Sequence, residues 1–332
     1  MTEDARERKK TIVSGARPSG RLHLGNYIGA LQNWKQLQEH YRCYYFIADW
    51  HALTTGYADS HEIKESSREM LLDWLGAGLD PEQAVLFRQS EVKEHAELFL
   101  LLAMITPISW LERCPTFKEQ LRELEGKEIN NYGFLGYPLL QAADILAYRA
   151  DAVPVGEDQL PHLEITRDTA RRFNYLYGKT LPEPEALLGK YPLLPGIDSR
   201  KMSKSYDNYI ALADPPETIR EKVRRMITDP RRVRRNDPGR PEVCTVYRFQ
   251  EIFNPAEGAP LEDSCRTAEI GCVQCKEILA RRLIEMLAPL QEKRHSLEQQ
   301  PAYLEEVLRE GEKRAREEAR ATLEAVRGAM GL

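Results

Sequence analysis

Two short segments of the sequence combine residue types that suit the binding of a polyphosphate. The first, Gly15 to Asn26 (GARPSGRLHLGN), has glycines that allow close backbone approach. A helix beginning near Gly25 would point N–H groups at an anion. The second, Lys201 to Ser205 (KMSKS), places two ammonium groups three residues apart, which can hold a triphosphate whose charge shifts during a reaction. The sequence contains no GxxxxGKS or GxxxxGKT motif, which excludes a Walker A loop.

Four of the six cysteines form a second candidate site. They follow the pattern C-x20-C-x6-C-x2-C and are Cys244, Cys265, Cys272 and Cys275. Structural zinc usually takes two close cysteine pairs, whereas this pattern has one close pair and two spread positions. The asymmetry favours a 4Fe-4S cluster, with Zn2+ and buried cysteines without a metal as the alternatives. Cys43 and Cys114 lie in apolar surroundings and are interpreted as packing residues.

A basic stretch precedes all four of these cysteines. Residues 218–240 contain nine basic and three acidic side chains, although the net charge of the whole chain is −5. A concentrated positive patch of this kind suits contacts with the phosphate backbone of RNA. The candidate contacts are Arg224, Arg225, Arg231, Arg232, Arg234 and Arg235.

The elements that must position these residues alternate along the first half of the chain. Buried strands are predicted for the apolar runs at 11–15, 43–48, 84–87 and 152–155. Amphipathic helical patterns lie between them, the clearest at 62–75. This alternation predicts an α/β fold with a Rossmann-like, doubly wound parallel sheet and helices on both faces.

From about residue 214, strand patterns give way to helical ones. We predict an N-terminal extension (1–10), a Rossmann-type catalytic domain ending in the KMSKS loop (11–213) and a helical domain that carries the four cysteines (214–332). No apolar run reaches eighteen residues, and the charged N-terminus is followed by no apolar signal region. We therefore expect a cytoplasmic protein without a membrane span.

In this order and at this separation, the two phosphate-binding candidates resemble the signatures of class I aminoacyl-tRNA synthetases: HLGN at His23 to Asn26, and KMSKS at Lys201 to Ser205. The wider segment 15–30 (GARPSGRLHLGNYIGA) is similar to the tryptophanyl branch in particular. Other similar segments are 48–54 (ADWHALT), 137–146 (YPLLQAADIL), 153–159 (VPVGEDQ) and 164–168 (EITRD). The resemblance extends from about Thr11 to the last helix.

The resemblance implies an enzyme that activates L-tryptophan with ATP and Mg2+, loads it onto tRNA(Trp) and forms a homodimer. The ATP contacts it implies are Arg17, His23, Gly25, Asn26, Asp158, Lys201, Met202, Ser203 and Lys204. The catalytic residues it implies are His23, Asn26, Lys118, Lys201 and Lys204. The tryptophan contacts it implies are His51, Tyr137, Gln141, Asp144 and Gln159. It also implies anticodon binding by the helical domain, and an iron-sulfur cluster there in a subset of the family.

Chemistry supports Asp144 separately from the resemblance. An indole N–H can only donate, so a buried carboxylate can accept it and would be left unpaired by phenylalanine. An ordinary helix cap or salt bridge remains the alternative for this aspartate. Gln141 stands where common bacterial relatives have methionine, and a glutamine at this distance from an aspartate also occurs in tyrosyl enzymes. Arg17 stands where many relatives have glutamine, so its role is open.

Three other functions stay open on the sequence. The first is a tyrosyl-tRNA synthetase, which would read a phenol with the same residues. The second is a catalytically inactive synthetase-like protein that senses an amino acid or binds RNA. The third is a nucleotidyltransferase of the same superfamily, which would need neither the helical C-terminal domain nor the basic stretch.

Overall fold

A five-stranded parallel sheet forms the centre of the computed structural model, which describes residues 9–115, 117, 118, 131–189 and 194–332. The strands are β1 (Thr11–Ala16), β2 (Arg42–Ile47), β3 (Ala84–Arg88), β4 (Ala152–Val155) and β5 (Glu185–Leu188). Their order is β3-β2-β1-β4-β5. The predicted Rossmann-like sheet is therefore confirmed, and most of the predicted N-terminal extension, residues 1–8, lies outside the described residues.

Helices connect the strands and cover both faces of the sheet. Those before the last strand are α1 (Leu24–Asn26), α2 (Gln32–His40), α3 (Asp49–Gly56), α4 (Ile63–Ala77), α5 (Glu94–Ala103), α6 (Ile108–Glu112), α7 (Tyr132–Leu146) and α8 (Leu160–Tyr177). A π-helical turn, Tyr27–Leu31, joins α1 to α2. The later helices are α9 (Pro216–Arg225), α10 (Thr245–Phe253), α11 (Pro255–Arg266), α12 (Cys272–Glu298) and α13 (Pro301–Met330).

The sheet opens where its winding reverses. β1 pairs with β2 along six residues, but it pairs with β4 only at Ile12 and Ala152. Pro154 of β4 lies opposite Leu187 of β5, beyond that single pair. In doubly wound sheets, ligands bind at the carboxyl ends of the strands at such a reversal.

Two hydrophobic clusters cover the two faces of the sheet. Ile12, Tyr45 and Leu86 point into the first cluster, whereas Val13 and Tyr44 point into the second. Neighbouring residues of a strand therefore serve opposite faces, as the two-residue period of a strand requires. The first cluster also takes in apolar residues of α9, α10 and α12, so the helices after residue 214 share a core with the sheet.

The last helix packs against the edge of the sheet. A Cβ atom on Gly311 of α13 would lie 1.8 Å from the carbonyl oxygen of Leu86, so only glycine permits this approach. Covering an edge strand in this way protects it from pairing with other chains. In the part of the chain that the structure describes, no helix is both long and apolar enough to cross a membrane.

Candidate active site

A cavity of about 340 Å³ lies at the reversal point between β1 and β4. Ala16 and Val155 line it at the carboxyl ends of these two strands, and α3, α7 and α8 complete its walls. The structure brings six of the predicted ligand-binding residues to this one cavity: Arg17, His51, Tyr137, Gln141, Asp144 and Gln159. Its volume lies within the range of small-molecule sites.

Asp144 lies at the buried base of the cavity, where three side chains donate hydrogen bonds to it. Gln89 Nε2 contacts both carboxylate oxygens at 2.8 and 2.9 Å. His51 Nε2 lies 2.9 Å from Oδ2, and His95 Nδ1 lies 2.6 Å from Oδ1. Burial alone would raise the pKa of Asp144, but the bonds from His51 and His95 outweigh it and lower the pKa to about 2. Asp144 is therefore an ionised carboxylate at the base of the cavity.

A second hydrogen-bond layer stands behind Asp144. His95 Nε2 lies 2.6 Å from the hydroxyl of Tyr148, and both side chains are fully buried. Because ionised Asp144 can only accept, His95 donates from Nδ1. Sequence reasoning missed Gln89, His95 and Tyr148. The signal for Gln89 and His95 was the polar segment at 88–95 (RQSEVKEH), at the end of the buried strand next to β2.

A third histidine organises the opposite wall. His162 Nε2 lies 2.9 Å from the Tyr137 hydroxyl, and its Nδ1 lies 2.9 Å from Gln159 Oε1. Burial lowers the pKa of His162 to about 4, so the ring is neutral at physiological pH. Gln159 Nε2 in turn donates to Asp158, whose side chain is exposed. Sequence reasoning found Tyr137, Gln159 and Asp158 but missed the histidine that links the first two.

The HLGN segment is held in a reciprocal cap. Asn26 N–H donates to His23 Nδ1 at 3.2 Å, and His23 N–H donates to Asn26 Oδ1 at 3.0 Å. Burial, together with the Lys204 charge, lowers the pKa of His23 to about 4, which keeps its Nδ1 an acceptor. A Cβ on Gly25 would lie 3.0 Å from the His23 ring, so the glycine leaves room for that ring. The helix begins at Leu24, one residue before the predicted start.

The KMSKS segment touches the loop that precedes HLGN. Lys204 Nζ donates to the carbonyl oxygen of Ser19 and to its hydroxyl at 3.3 Å. Burial lowers the pKa of Lys204 to about 8. Buried Asn208, which sequence reasoning missed, fixes the segment by accepting from Ser203 N–H at 2.8 Å and donating to the Lys201 carbonyl at 3.1 Å.

The remaining predicted phosphate residues differ in exposure. Met202 is buried, whereas Lys201 and Lys118 have exposed side chains. Exposed lysines are available to a bound polyphosphate at little desolvation cost, whereas Met202 packs into the core cluster beneath the loop. Met202 is therefore a packing residue, unlike the charged residues of the KMSKS segment.

The helices bring the four cysteines of the C-terminal region together. Cys244 precedes α10, Cys265 lies near the end of α11, and Cys272 and Cys275 lie in the first turn of α12. Burial, opposed by a hydrogen bond from Gln250 and reinforced by the other three thiols, raises the pKa of Cys275 to about 11. The four are free of disulfides. Among the described residues, however, no three His, Cys, Asp or Glu side chains are grouped so as to hold a metal ion.

Two side chains direct N–H groups at these sulfurs. Arg232 Nη1 lies 3.6 Å from Cys265 Sγ, and Gln250 Nε2 lies 3.7 Å from Cys275 Sγ. Arg232 also donates to the carbonyl oxygens of Arg235 and Ile270. The other predicted RNA contacts have exposed side chains; they are Arg224, Arg225, Arg231, Arg234 and Arg235. Arg232 is therefore held beside the cysteines, unlike its basic neighbours.

Comparisons with known proteins agree with this geometry. The family model of class I tRNA synthetases (W and Y) matches residues 5–288. The tryptophan–tRNA ligase of Thermotoga maritima is 52% identical, with 97% of this chain and 99% of the relative covered. That of Aquifex aeolicus is 46% identical over 97% of this chain and 99% of the relative.

Solved structures show the same relationship. The tryptophanyl-tRNA synthetase of Campylobacter jejuni, crystallised with ADP and tryptophan, superposes with a TM-score of 0.88 at 32% identity. The match covers 97% of this chain and all of that one. A tyrosyl-tRNA synthetase from Archaeoglobus fulgidus superposes at 0.66 and 23% identity, which shows a common fold. The chain belongs to the class I tRNA synthetases of the tryptophan and tyrosine group, and within that group to the tryptophanyl-tRNA synthetases.

Proposed function

We propose that this chain activates L-tryptophan with ATP and transfers it to tRNA(Trp). The observation that carries the proposal is an ionised, fully buried Asp144 at the base of a cavity that Arg17 and Gly29, on either side of the HLGN segment, also line. In the first step a tryptophan carboxylate oxygen attacks the α-phosphorus of ATP and pyrophosphate leaves. In the second, the tRNA 3′ end displaces AMP from the adenylate. Neither step needs a protein nucleophile, so the chain contributes positioning and charge stabilisation.

Recognition of the indole follows from the acceptor capacity of Asp144. A carboxylate offers about four acceptor positions, and Gln89, His51 and His95 already occupy them. Of the three donors, only His51 lines the cavity. We infer that the indole N–H takes the place of the His51 N–H at Oδ2, while the two deeper donors keep the carboxylate fixed. A phenyl side chain offers no such donor and gains nothing from this exchange.

The other end of the amino acid would meet the linked polar groups of the cavity wall. Tyr137, Gln141 and Gln159 line the same cavity as Asp144 and supply a hydroxyl and two amides. These groups can bind the ammonium and carboxylate of an amino acid without competing for its ring. The neutral His162 behind Tyr137 and Gln159 sets their orientation.

ATP would lie across the two signatures. In this proposal His23, Gly25 and Asn26 contact its phosphates, and Lys201, Ser203 and Lys204 follow pyrophosphate as it forms, with Met202 packing beneath. Lys118 would also reach the phosphates, Arg17 would face ATP at the cavity mouth, and Asp158 would bind the ribose hydroxyls. The described residues offer no three-carboxylate group for Mg2+, so the phosphates themselves supply its ligands.

We also propose that the four cysteines hold a 4Fe-4S cluster. The support is the mutual electrostatic influence of the thiols and the two N–H donors aimed at their sulfurs. In such a cluster each thiolate binds a different iron, so the four sulfurs need not converge on one point as they would on Zn2+. Equal iron and sulfide content after anaerobic purification, lost in Cys272→Ser, tests this proposal. One bound zinc per chain would replace it with a zinc site.

The RNA and assembly proposals use separate surfaces. The exposed arginines of residues 218–240 would contact the tRNA backbone, so the affinity for tRNA should fall steeply as the salt concentration rises.

A homodimer would bury the apolar side chains exposed at the end of α5 and the start of α6 and α7, which are Leu100, Met104, Ile108 and Tyr132. Light scattering of the whole protein tests the second proposal. The reduced thiols fit the cytoplasm, where we place the enzyme.

Amino-acid-dependent exchange of pyrophosphate into ATP, measured with each of the twenty amino acids, tests the main proposal. Exchange with tryptophan alone supports it. Exchange with tyrosine alone would assign Asp144 to a phenol. If no amino acid gives exchange, with or without tRNA, the chain is a non-catalytic relative.

A further inference from the structure

The second half of α12 lies directly against α4, close to the HLGN segment. A Cβ on Gly76 of α4 would lie 3.2 Å from the Leu290 carbonyl oxygen and 3.4 Å from the Arg294 Cβ. The glycine thus lets the two helix backbones approach closely. Arg294 is buried at this contact, with only 3% of the residue exposed. A buried arginine requires partners for its charge and its N–H groups.

Arg294 finds these partners in two acidic residues of α4. Its Nη1 donates to Asp73 Oδ1 at 2.6 Å, and its Nη2 donates to Glu69 Oε2 at 2.7 Å. Asp73, itself fully buried, uses its other oxygen to accept the backbone N–H of Leu22 at 2.6 Å. Leu22 directly precedes His23. One carboxylate therefore joins an arginine of α12 to the backbone of the HLGN segment.

The same end of α12 also holds the chain that follows KMSKS. Gln291 Nε2 donates to the carbonyl oxygens of Leu212 and Asp214, at 2.8 and 2.9 Å. Leu212 N–H donates to the Leu22 carbonyl at 2.9 Å, and His23 pairs with Ala211. The HLGN segment thus forms a short antiparallel pairing with the chain that follows KMSKS, and α12 contacts both sides of this pairing.

We propose that Asp73 and Arg294 are positioning residues for the ATP half-site. Asp73 fixes the backbone immediately before His23, and Arg294 fixes Asp73. Because α12 begins at Cys272 and Cys275, this one helix connects the cysteine region and the basic surface to the ATP signatures. An ion pair buried this deeply adds little net stability compared with apolar residues of similar volume, which favours a positioning role. The inference rests on the assignment of His23 to ATP made above.

Exchange kinetics of the full-length protein test this inference. Arg294→Met keeps most of the side-chain volume, and Asp73→Asn keeps an acceptor for Leu22. Each should lower kcat/KM for ATP about 10- to 100-fold while the KM for tryptophan stays within about threefold. The double variant should lose no more than the worse single variant, because the two residues act as one unit.

Arg282→Met is the matched control. Arg282 lies on the same helix, but it donates to the Phe253 carbonyl within the C-terminal region. In Arg282→Met, the kcat/KM for ATP and the KM for tryptophan should both stay within about twofold of the wild-type values. If Arg294→Met does not fold, Arg294→Lys, which keeps the charge but not the two-pronged contact, should still show the ATP-selective loss.

Four results would overturn the inference: equal losses for ATP and tryptophan, multiplicative losses in the double variant, a loss in Arg282→Met as large as in Arg294→Met, or full ATP kinetics in Arg294→Met. Pyrophosphate exchange by the wild-type protein distinguishes failure of the positioning role from failure of the proposed function. If wild type exchanges with no amino acid, the proposed function fails. If wild type is active with tryptophan and Arg294→Met keeps full ATP kinetics, only the positioning role fails.

Discussion

His95 Nδ1 lies 2.6 Å from Asp144 Oδ1 in a region where neither side chain is exposed. The opposite ring nitrogen of His95 lies 2.6 Å from the Tyr148 hydroxyl, so the hydrogen-bond chain runs from the cavity floor into the core cluster behind the sheet. This arrangement fixes both the protonation state and the direction of Asp144. Under the proposed function, the specificity for tryptophan would therefore depend on His95 and Tyr148, which do not line the cavity.

Replacing His95 tests this dependence. His95→Phe fills a similar volume but removes a donor to a charged group, which contributes about 1.5–3 kcal/mol. We expect kcat/KM for tryptophan in pyrophosphate exchange to fall about 10- to 100-fold, with the KM for ATP within about threefold. Tyr148→Phe, which removes a partner one step further away, should cost about tenfold at most. Unchanged tryptophan kinetics in His95→Phe would exclude the role of this histidine.

The pH dependence of ATP use should report Lys204. Burial lowers the pKa of its ammonium to about 8 in the enzyme without ATP, so its charge disappears as the pH rises through that value. Since kcat/KM reports groups of the free enzyme, kcat/KM for ATP should fall above about pH 8. Lys204→Arg stays protonated and should shift this fall to higher pH. An identical alkaline limb in both proteins would assign the limb to another group.

Two glycines of α13 offer a matched test of the packing on β3. Gly311→Ala would push a methyl group onto the Leu86 carbonyl, which requires the helix to shift and should destabilise the fold by about 1–3 kcal/mol. Gly328→Ala lies on the same helix with no atom within 4 Å of the added Cβ, and should stabilise by about 0.5–1 kcal/mol. Thermal unfolding midpoints should therefore move in opposite directions. Equal shifts would contradict this packing.

The sequence predicted those parts of the fold that depend on local pattern. Apolar runs located β1 to β4, because strands buried on both faces are continuous in hydrophobic residues. β5 was missed because Glu185–Leu188 is short, largely built from good helix formers and only partly buried. The predicted change to helices after residue 214 is confirmed.

Residues of the site could be predicted from the sequence only where they belong to a recognisable motif. His23, Lys204 and Asp144 belong to recognisable segments, whereas His95 and Arg294 do not. Both of the latter are single polar residues inside helical patterns, and their partners lie 49 and 221 residues away in the chain. Tertiary packing determines such pairs, and a single sequence contains no periodic pattern that would reveal them.

The most direct test of the central claim compares tryptophan with an analogue in which sulfur replaces the indole N–H, a benzothienylalanine. The analogue keeps the shape of the ring and removes the one donor that Asp144 would accept. Pyrophosphate exchange by wild type should favour tryptophan by at least about 100-fold in kcat/KM, and Asp144→Ala should reduce that preference to a few-fold. Equal use of both amino acids by wild type would show that Asp144 does not read the indole N–H.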